Sequence, residues 1–451
     1  MTTPRRKRQL PASAASARPP AWSEREAEAH LRSLELFGMR FGLDRIRRMM
    51  TVLGAPQRRY ETIHVLGTNG KTSTTRMTAA ILERHGLRTG AYTSPHLISY
   101  TERVQVGERD VSEQQLAAAI ARAAWAAERV NRTLAEDDHV TQFELLTAAA
   151  LWAMAERGVE VAVIEAGLGG RYDATSVIES RVTALTNVGL EHTRWLGPTV
   201  RDIAEEKLAV LGAGSTLALG AELDPQALAV AERVARERGA RVVTASLQPT
   251  ASVARLAAKG EFQRRNFALA ELVARAYLET AELSVSEQAI AEAAQATDVR
   301  GRLQIVDEQP LTVLDGAHNP DAVRALARAL PEVLGERPLA LVLGVLEDKD
   351  AAAMLEALLP LCERAWFTAP PSERALSPAA LQSLARQLGF ERVSCDPSPW
   401  RALAQAREWA SEHGAAVLAT GSVYLVGDLL ERGQAGLETE ESGAAGRRAA
   451  T

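Results

Sequence analysis

A two-domain α/β protein with mostly parallel sheets is the fold this sequence predicts, and three observations carry it. Short apolar strands alternate with helical stretches along nearly the whole chain, the pattern of a parallel sheet covered on both faces. At 451 residues the chain is longer than one hydrophobic core normally holds. Finally, the apolar run Ile63-His64-Val65-Leu66 leads into Gly67-Thr68-Asn69-Gly70-Lys71-Thr72-Ser73 and then into a helical pattern. That is the order in which an α/β sheet presents a phosphate-binding loop.

Taken in order, residues 23–60 read mostly as helix, followed by the strand and glycine loop and by a second strand over about 88–92. Ser94-Pro95-His96-Leu97 comes next, where the proline enforces an extended loop. Residues 103–106 and Val111 flank Gly107, a hairpin pattern. Ser112-Glu113-Gln114-Gln115 is a capping box that opens an alanine-rich helix to about Val130, and a further helix covers 143–157. Val161-Ala162-Val163-Ile164 is a buried strand ending in Glu165 and a glycine-rich loop, and 182–185 repeats the pattern. A helix over 199–210 carries Lys207, and Asp224-Pro225 starts another with an N-cap and a proline at the first helical position. After a boundary near 296–300, a hairpin (303–306 and 311–314) precedes Asp315-Gly316-Ala317-His318-Asn319-Pro320. Strands at 339–343, 364–367, 392–394 and 416–419 then alternate with helices. The expected organisation is a larger P-loop ATPase-type domain over 23–298 and a smaller Rossmann-like domain over 299–432. Tails at 1–22 and 433–451 are expected to be disordered from their composition.

Composition narrows the function classes. The chain is 46% hydrophobic and 24% charged with a net charge of -5, so no basic surplus argues for nucleic acid. No apolar run is long enough to span a bilayer, and the basic cluster Arg5-Arg6-Lys7-Arg8 lacks the apolar core of a secretory signal. Cys362 and Cys395 stand far apart in no ligand-like spacing, which predicts reduced thiols and a cytoplasmic protein.

The glycine loop carries the chemistry. Glycines let the backbone approach an anion, the first-turn N–H groups point at it, and Lys71 adds a full charge. Val65 stands where a full-length P-loop has its first glycine, so only a shortened form beginning at Gly67 fits. The hydroxyls of Thr72 and Ser73 suit a magnesium ion, and Glu165 is placed as their carboxylate partner. His192 is, on chemistry alone, an unusual ligand for magnesium, and Lys207 alone reads as a solvated helix lysine.

These motifs together resemble folylpolyglutamate synthase and dihydrofolate synthase, a branch of the Mur ligase superfamily. The matching strings run from Gly67-Thr68-Asn69-Gly70-Lys71 through Ser94-Pro95-His96-Leu97, Glu165 with Gly167 to Arg171, and Asp173-Ala174-Thr175. They continue through Gly189-Leu190-Glu191-His192-Thr193, Glu206-Lys207, Asp315 to Pro320, Asp348-Lys349-Asp350 and Gly421-Ser422. The resemblance covers about 34–430. It implies an ATP-dependent ligase that joins L-glutamate to dihydropteroate or to the glutamate tail of folates through an acyl phosphate. Residue by residue it implies that Gly67, Thr68, Asn69, Gly70, Lys71, Thr72, Ser73, Gln263, Asn266, Arg302, Asp315 and His318 contact ATP. In the same reading Gln263 and Asn266 precede an alanine-rich helix. Ser73 and Glu165, with Thr72 adjacent, would hold a first Mg2+. His192 would hold a second, with Lys207 as a carbamylated ligand; Lys71, Glu165, His192 and Lys207 form the catalytic set. Ser94, Pro95, His96, Asp173 and Ala174 would line the folate side. A monovalent cation is allowed, and a monomer without nucleic-acid or membrane partners is implied.

The chain departs from the family pattern at Thr72, where glycine is usual, and at Phe262, where histidine is usual. Val299-Arg300 replaces Trp-Pro, and Leu208-Ala209-Val210 replaces Ala-Gly-Ile. No reacting group is lost. Two other functions stay open from the sequence: a Mur ligase extending a cell-wall precursor, and a P-loop NTPase switch or non-catalytic nucleotide-binding module.

Overall fold

The computed structural model describes residues 21–34, 41–246 and 256–433. The rest of both tails expected to be disordered lies outside these residues, although Trp22 packs its ring 5.0 Å from that of His30. The described residues divide into two compact units: residues up to Arg59 with Ser112–Arg157, and Tyr60–Val111 with the remainder from Gly158 onward.

The first unit is helical. Helices Glu24–Ser33 and Asp44–Val52 pack against Glu113–Asn131 and Gln142–Glu156. Three of the four start with a capping box: Ser23/Glu26, Ser112/Gln115 and Thr141/Glu144. The box at Ser112 is the one read from the sequence. Its core holds a buried ion pair, with Arg45 Nε 3.1 and 3.0 Å from the two carboxylate oxygens of Glu144 and Nη1 2.9 Å from Asp138. Both Arg45 and Glu144 side chains are 7% exposed, so each charge depends on the other for the solvation it has lost.

The second unit contains both sheets. In chain order the strands of the first are β1 Glu61–Leu66, β2 Thr89–Tyr92, β3 Val104–Val106, β4 Arg109–Asp110, β5 Val161–Glu165, β6 Val182–Leu185, β7 Thr216–Leu219 and β8 Arg241–Thr244. They lie in the order β4-β3-β2-β5-β1-β6-β7-β8. All pairings are parallel except β2 with β3 and β3 with β4, where the predicted hairpin adds an antiparallel edge. On one face Ile63, Val65 and Val163 pack with helices Lys71–Arg84 and Glu261–Thr280; on the other Leu66, Leu185 and Leu217 pack with Val200–Leu208 and Pro225–Arg238. From β1 the chain turns to one side of the sheet, and from β6 to the other. The crevice outside the carboxyl ends of β1 and β6 is therefore the switch point at which open α/β sheets bind ligands.

The second sheet comprises β9 Gln304–Glu308, β10 Leu311–Leu314, β11 Leu339–Leu343, β12 Cys362–Phe367, β13 Val393–Cys395 and β14 Ala416–Thr420, in the order β13-β12-β11-β14-β10-β9. Only β9 runs antiparallel, in the predicted hairpin with β10. Helices Pro320–Leu334 and Ala351–Leu358 cover one face; Pro399–His413 and the helix over 423–433 cover the other.

Replacing Glu144 with Gln removes the charge that compensates buried Arg45 and should destabilise the protein by about 3 kcal/mol. Urea unfolding followed by far-UV circular dichroism measures it; a loss below about 1 kcal/mol would match an exposed pair instead.

Candidate active site

The glycine loop after β1 is held by its carbonyls. Gly67 O accepts from Lys207 Nζ at 2.8 Å, Thr68 O from Lys71 Nζ at 3.0 Å, and Asn69 O from Thr186 Oγ1 at 2.6 Å. The loop after β6 braces it further: Thr68 N donates to Asn187 O and Asn69 N to Asn187 Oδ1, at 3.0 and 2.9 Å. Gly67 and Gly70 have φ of 145° and 82°. A Cβ on Gly67 would lie 1.8 Å from Thr186 Oγ1, and one on Gly70 2.3 Å from Asn266 Oδ1. Only glycine meets both the backbone and the space requirement. Helix Lys71–Arg84 starts at Gly70, so the N–H groups of its first turn have no intrahelical partner and are left for an anion.

Glu165, the last residue of β5, is 2% exposed. Both its oxygens accept from Thr72 Oγ1, at 3.0 and 2.9 Å, and Oε2 also accepts from Ser94 N at 3.2 Å. Burial raises its pKa, opposed mainly by the Lys71 charge and the Thr72 hydrogen bond. The residues brought to Glu165 are thus Ser94 and Thr72, one of the two hydroxyl residues that the sequence pairs with it; the other, Ser73, is 2% exposed.

From the second sheet, Asp315 follows β10. Its carboxylate is 2% exposed and accepts from Leu303 N and Ala317 N, each at 2.8 Å. Arg302 donates to Gly301 O at 2.9 Å, and His318 Nδ1 lies 2.8 Å from Gly316 O. Asn319 forms a reciprocal amide pair with Asn69 of the glycine loop, at 3.3 and 2.9 Å, while its Oδ1 caps helix Pro320–Leu334 through Ala322 N. Glu191 makes a second link across the cleft, with Lys349 Nζ 3.0 Å from its Oε1 and the Nε2 atoms of His192 and His318 each 3.8 Å away. Burial would raise the Glu191 pKa, but Lys349 and the other basic groups around it, His318, His192 and Lys71, together outweigh burial and push it down to about 2. His192, at φ 53°, is pushed down to about 4, chiefly by burial; it is neutral at physiological pH.

The cleft between the sheets measures about 520 Å3. Thr68 to Ser73, Ser94, Pro95, Glu165, His192, Asn266, Arg302, Asp315 and His318 line it, together with Phe262 and Glu191. Other expected site residues are not on its wall. Gln263 is fully buried, its Oε1 taking a hydrogen bond from Asn266 and its Nε2 without an acceptor among the described residues. Both residues lie inside helix Glu261–Thr280, which corrects the expectation that they precede it; the N-cap is Gly260, a weak signal that the first polar turn hides. His96 accepts from Arg103 at 2.9 Å and packs on Tyr100. Asp173 spends its carboxylate on its own loop, and Ala174 is buried behind it. Lys207, 5% exposed, reaches the site only through Gly67 O.

Four contributors were missed from sequence: Thr186, Asn187, Asn319 and Glu191. Glu191 and Asn319 sat inside recognised motifs, and the strand-end position of Thr186-Asn187, matching that of the glycine loop, was the available signal. Among the described residues no group of three or more His, Cys, Asp or Glu could hold a metal by itself. The Thr72 hydroxyl and Glu165 carboxylate do fit a hard divalent cation that takes its other ligands from phosphate and water.

A P-loop beside a second α/β domain that supplies an arginine, an aspartate and a histidine to the same cleft defines an ATP-dependent ligase of the Mur type. Residues 65–285 match the Mur ligase middle domain and 301–423 the Mur ligase glutamate ligase domain. The chain is 34% identical to the folylpolyglutamate synthase of Lacticaseibacillus casei over 361 residues, covering 75% of this chain and 84% of that protein. It is 32% identical to the dihydrofolate synthase/folylpolyglutamate synthase of Escherichia coli K12, covering 91% and 94%. A structure of Mycobacterium tuberculosis folylpolyglutamate synthase complexed with ADP and AMPPCP superposes with a TM-score of 0.84 at 29% identity, covering 91% of this chain and 99% of that one. The chain belongs to the folylpolyglutamate synthase and dihydrofolate synthase family.

Gly67→Ala should displace Thr186 from Asn69 O and lower affinity for ADP by at least about tenfold, or ~1.4 kcal/mol. Isothermal titration measures this, and wild-type affinity would show that the close approach is unimportant.

Proposed function

We propose that this enzyme joins L-glutamate to dihydropteroate, to the glutamate tail of reduced folates, or to both, using ATP. The observation that carries the proposal is the convergence of the braced glycine loop with Arg302, Asp315 and His318 on one cleft. A carboxylate oxygen of the pteroate or folate attacks the γ-phosphorus of ATP and ADP leaves, giving an acyl phosphate. The glutamate amine then attacks the acyl carbon, loses a proton and expels phosphate, forming the amide. Both steps build charge on phosphoryl oxygens, which the first-turn N–H groups, Lys71 and Arg302 offset from fixed positions. Asp315 holds the Arg302 loop by accepting from Leu303 N, and Glu191 with Lys349 keeps the far wall in place. Thr72 and Glu165 would hold a magnesium ion, which when bound neutralises phosphate charge. Gln263 enters this reading only through Asn266, which lines the cleft and donates to its Oε1.

The proposal includes a second cation near His192, with Lys207 as a carbamate. Lys207 is pushed down to about 7, first by burial and then by Lys71, so its amine is uncharged, and able to take up CO2, above that pH. A carbamate keeps one N–H for Gly67 O. The sign is that a depressed lysine pKa penalises the folded protein fully below about pH 7, and the penalty fades as pH rises toward the unfolded value of about 10.4. A monomer working on small molecules in the cytoplasm completes the proposal; the two cysteines are unpaired, and none of the described helices is long and apolar enough to cross a membrane.

Purified enzyme with ATP, glutamate and either dihydropteroate or tetrahydrofolate should produce ADP over many turnovers only when both co-substrates are present, with no more than about one ADP per enzyme when glutamate is left out. Mass analysis should show one added glutamyl unit or more; Lys71→Ala should abolish this, and near-wild-type turnover in that variant would refute the assignment. In bicarbonate buffer, intact-mass analysis of the native enzyme should show one added CO2, lost in Lys207→Ala, with occupancy rising as pH passes through 7. Occupancy that falls over that range would refute the carbamate.

A further inference from the structure

Below the part of the cleft wall that Gly167 forms lies a buried polar chain that the ligase reaction does not itself require. Side chains alternate along β1, so His64 points to the face occupied by Leu66, opposite Ile63 and Val65. It is 1% exposed, and its Nε2 lies 2.8 Å from Thr175 Oγ1. Thr175, fully buried, approaches Asp173 Oδ1 with its hydroxyl at 2.5 Å and with its N–H at 2.9 Å. Asp173 Oδ2 accepts from Leu168 N at 2.7 Å. Burial raises the Asp173 pKa, but the hydrogen bonds donated to it by Thr175 and by Leu168 N favour the ionised form; an ionised carboxylate only accepts, so the Thr175 hydroxyl donates to Asp173 and takes its own hydrogen bond from His64. That fixes histidine as the neutral Nε2–H tautomer, in keeping with a pKa pushed down to about 4 by burial.

The loop tied by this chain begins at Gly167 on the cleft wall. Its Gly170 packs on the backbone of Glu206 and Lys207, where a Cβ would lie 2.6 and 2.4 Å from their carbonyl oxygens, and Arg171 N donates to Glu206 O. A loop held this closely cannot shift without losing one of these contacts. His64 lies on β1 three residues before Gly67, which follows the strand, so a single strand supports both the phosphate loop, through its end, and the 167–175 loop, through one side chain.

We infer that His64 is a positioning residue for the pteroate or folate co-substrate, acting through Thr175 and Asp173 to set the shape of the 167–175 loop. The inference rests on the proposed substrate class.

The test compares His64→Leu, which removes the donor, with His64→Gln, whose amide nitrogen can reach the Nε2 position. His64→Leu should raise KM for dihydropteroate about tenfold while KM for ATP changes less than about twofold, and His64→Gln should return most of the loss; tenfold corresponds to one lost hydrogen bond of ~1.4 kcal/mol. If His64→Leu does not fold, Thr175→Val interrupts the same chain and Thr175→Ser preserves it, with the same pair of outcomes expected. KM values for dihydropteroate and ATP that rise together, or a glutamine variant as impaired as the leucine one, would overturn the inference. Hydrogen exchange of the Leu168 and Thr175 amides gives a reading independent of turnover: faster exchange in His64→Leu is expected, and unchanged exchange refutes the positioning role. If the wild-type enzyme forms no glutamylated product, the substrate class fails by itself, and the exchange data still decide whether His64 holds the loop.

Discussion

A phosphate-binding loop must leave its N–H groups aimed at a ligand while the chain that carries them stays fixed. Here the requirement is met mainly from the carbonyl side, with Thr68 N and Asn69 N spent on Asn187 and the first-turn N–H groups left open. Lys207, Lys71 and Thr186 each donate to one of three successive carbonyls, Gly67 to Asn69. A loop clamped through its acceptors has its dipoles directed before any anion arrives, so binding does not incur the reorganisation cost of ordering them. The clamp also explains the glycines. Thr186 can reach Asn69 O only because Gly67 has no side chain, and Asn266 can sit against Gly70 for the same reason.

This arrangement explains how a loop lacking the usual first glycine still works. The full-length motif wraps a phosphate with its own chain; this shorter one borrows Thr186 and Asn187 from the neighbouring strand end. It also borrows Asn319 from the second sheet, which places the phosphate loop in direct contact with the region carrying Asp315 and His318. The charge balance follows a similar division. Lys71, Arg265, Arg302, Arg324 and Arg328 line the cleft with Glu165, Glu191 and Asp315 among them, so its basic groups are interleaved with acidic ones.

Much of the fold was legible because its signals are local. β6 starts and stops at the predicted residues, and the Ser112 capping box opens its helix as read. The glycine loop and Glu165 were legible through strand-end position, since parallel sheets gather function at carboxyl ends. What the sequence hid is long-range. Nothing near Asn319 in the chain announces a pairing with Asn69, 250 positions away. Arg45 and Glu144, separated by 99 positions, gave no sign that residues before Arg59 and residues 112–157 form a compact unit of their own. Gln263 and Asn266 read as preceding their helix because Phe262 is the one apolar residue between Gly260 and Phe267, and a single apolar residue shows no helical period.

The placement of Glu191 bears on how the cleft stays closed. Its carboxylate is 13% exposed and Lys349's ammonium stem 11%, so neither charge is well solvated when the pair is made. Separating the walls would return both to water, and such a pair contributes little net stability by itself. Its value is directional: the contact is favourable only in one alignment of the two walls, the alignment that also pairs Asn69 with Asn319. Two weak contacts that share a single geometry restrict the cleft more than either would alone, and they do so beside the neutral imidazoles of His192 and His318. Walls joined by two weak contacts rather than by a packed core suit a reaction whose acyl-phosphate intermediate must be protected from hydrolysis and whose products must then leave.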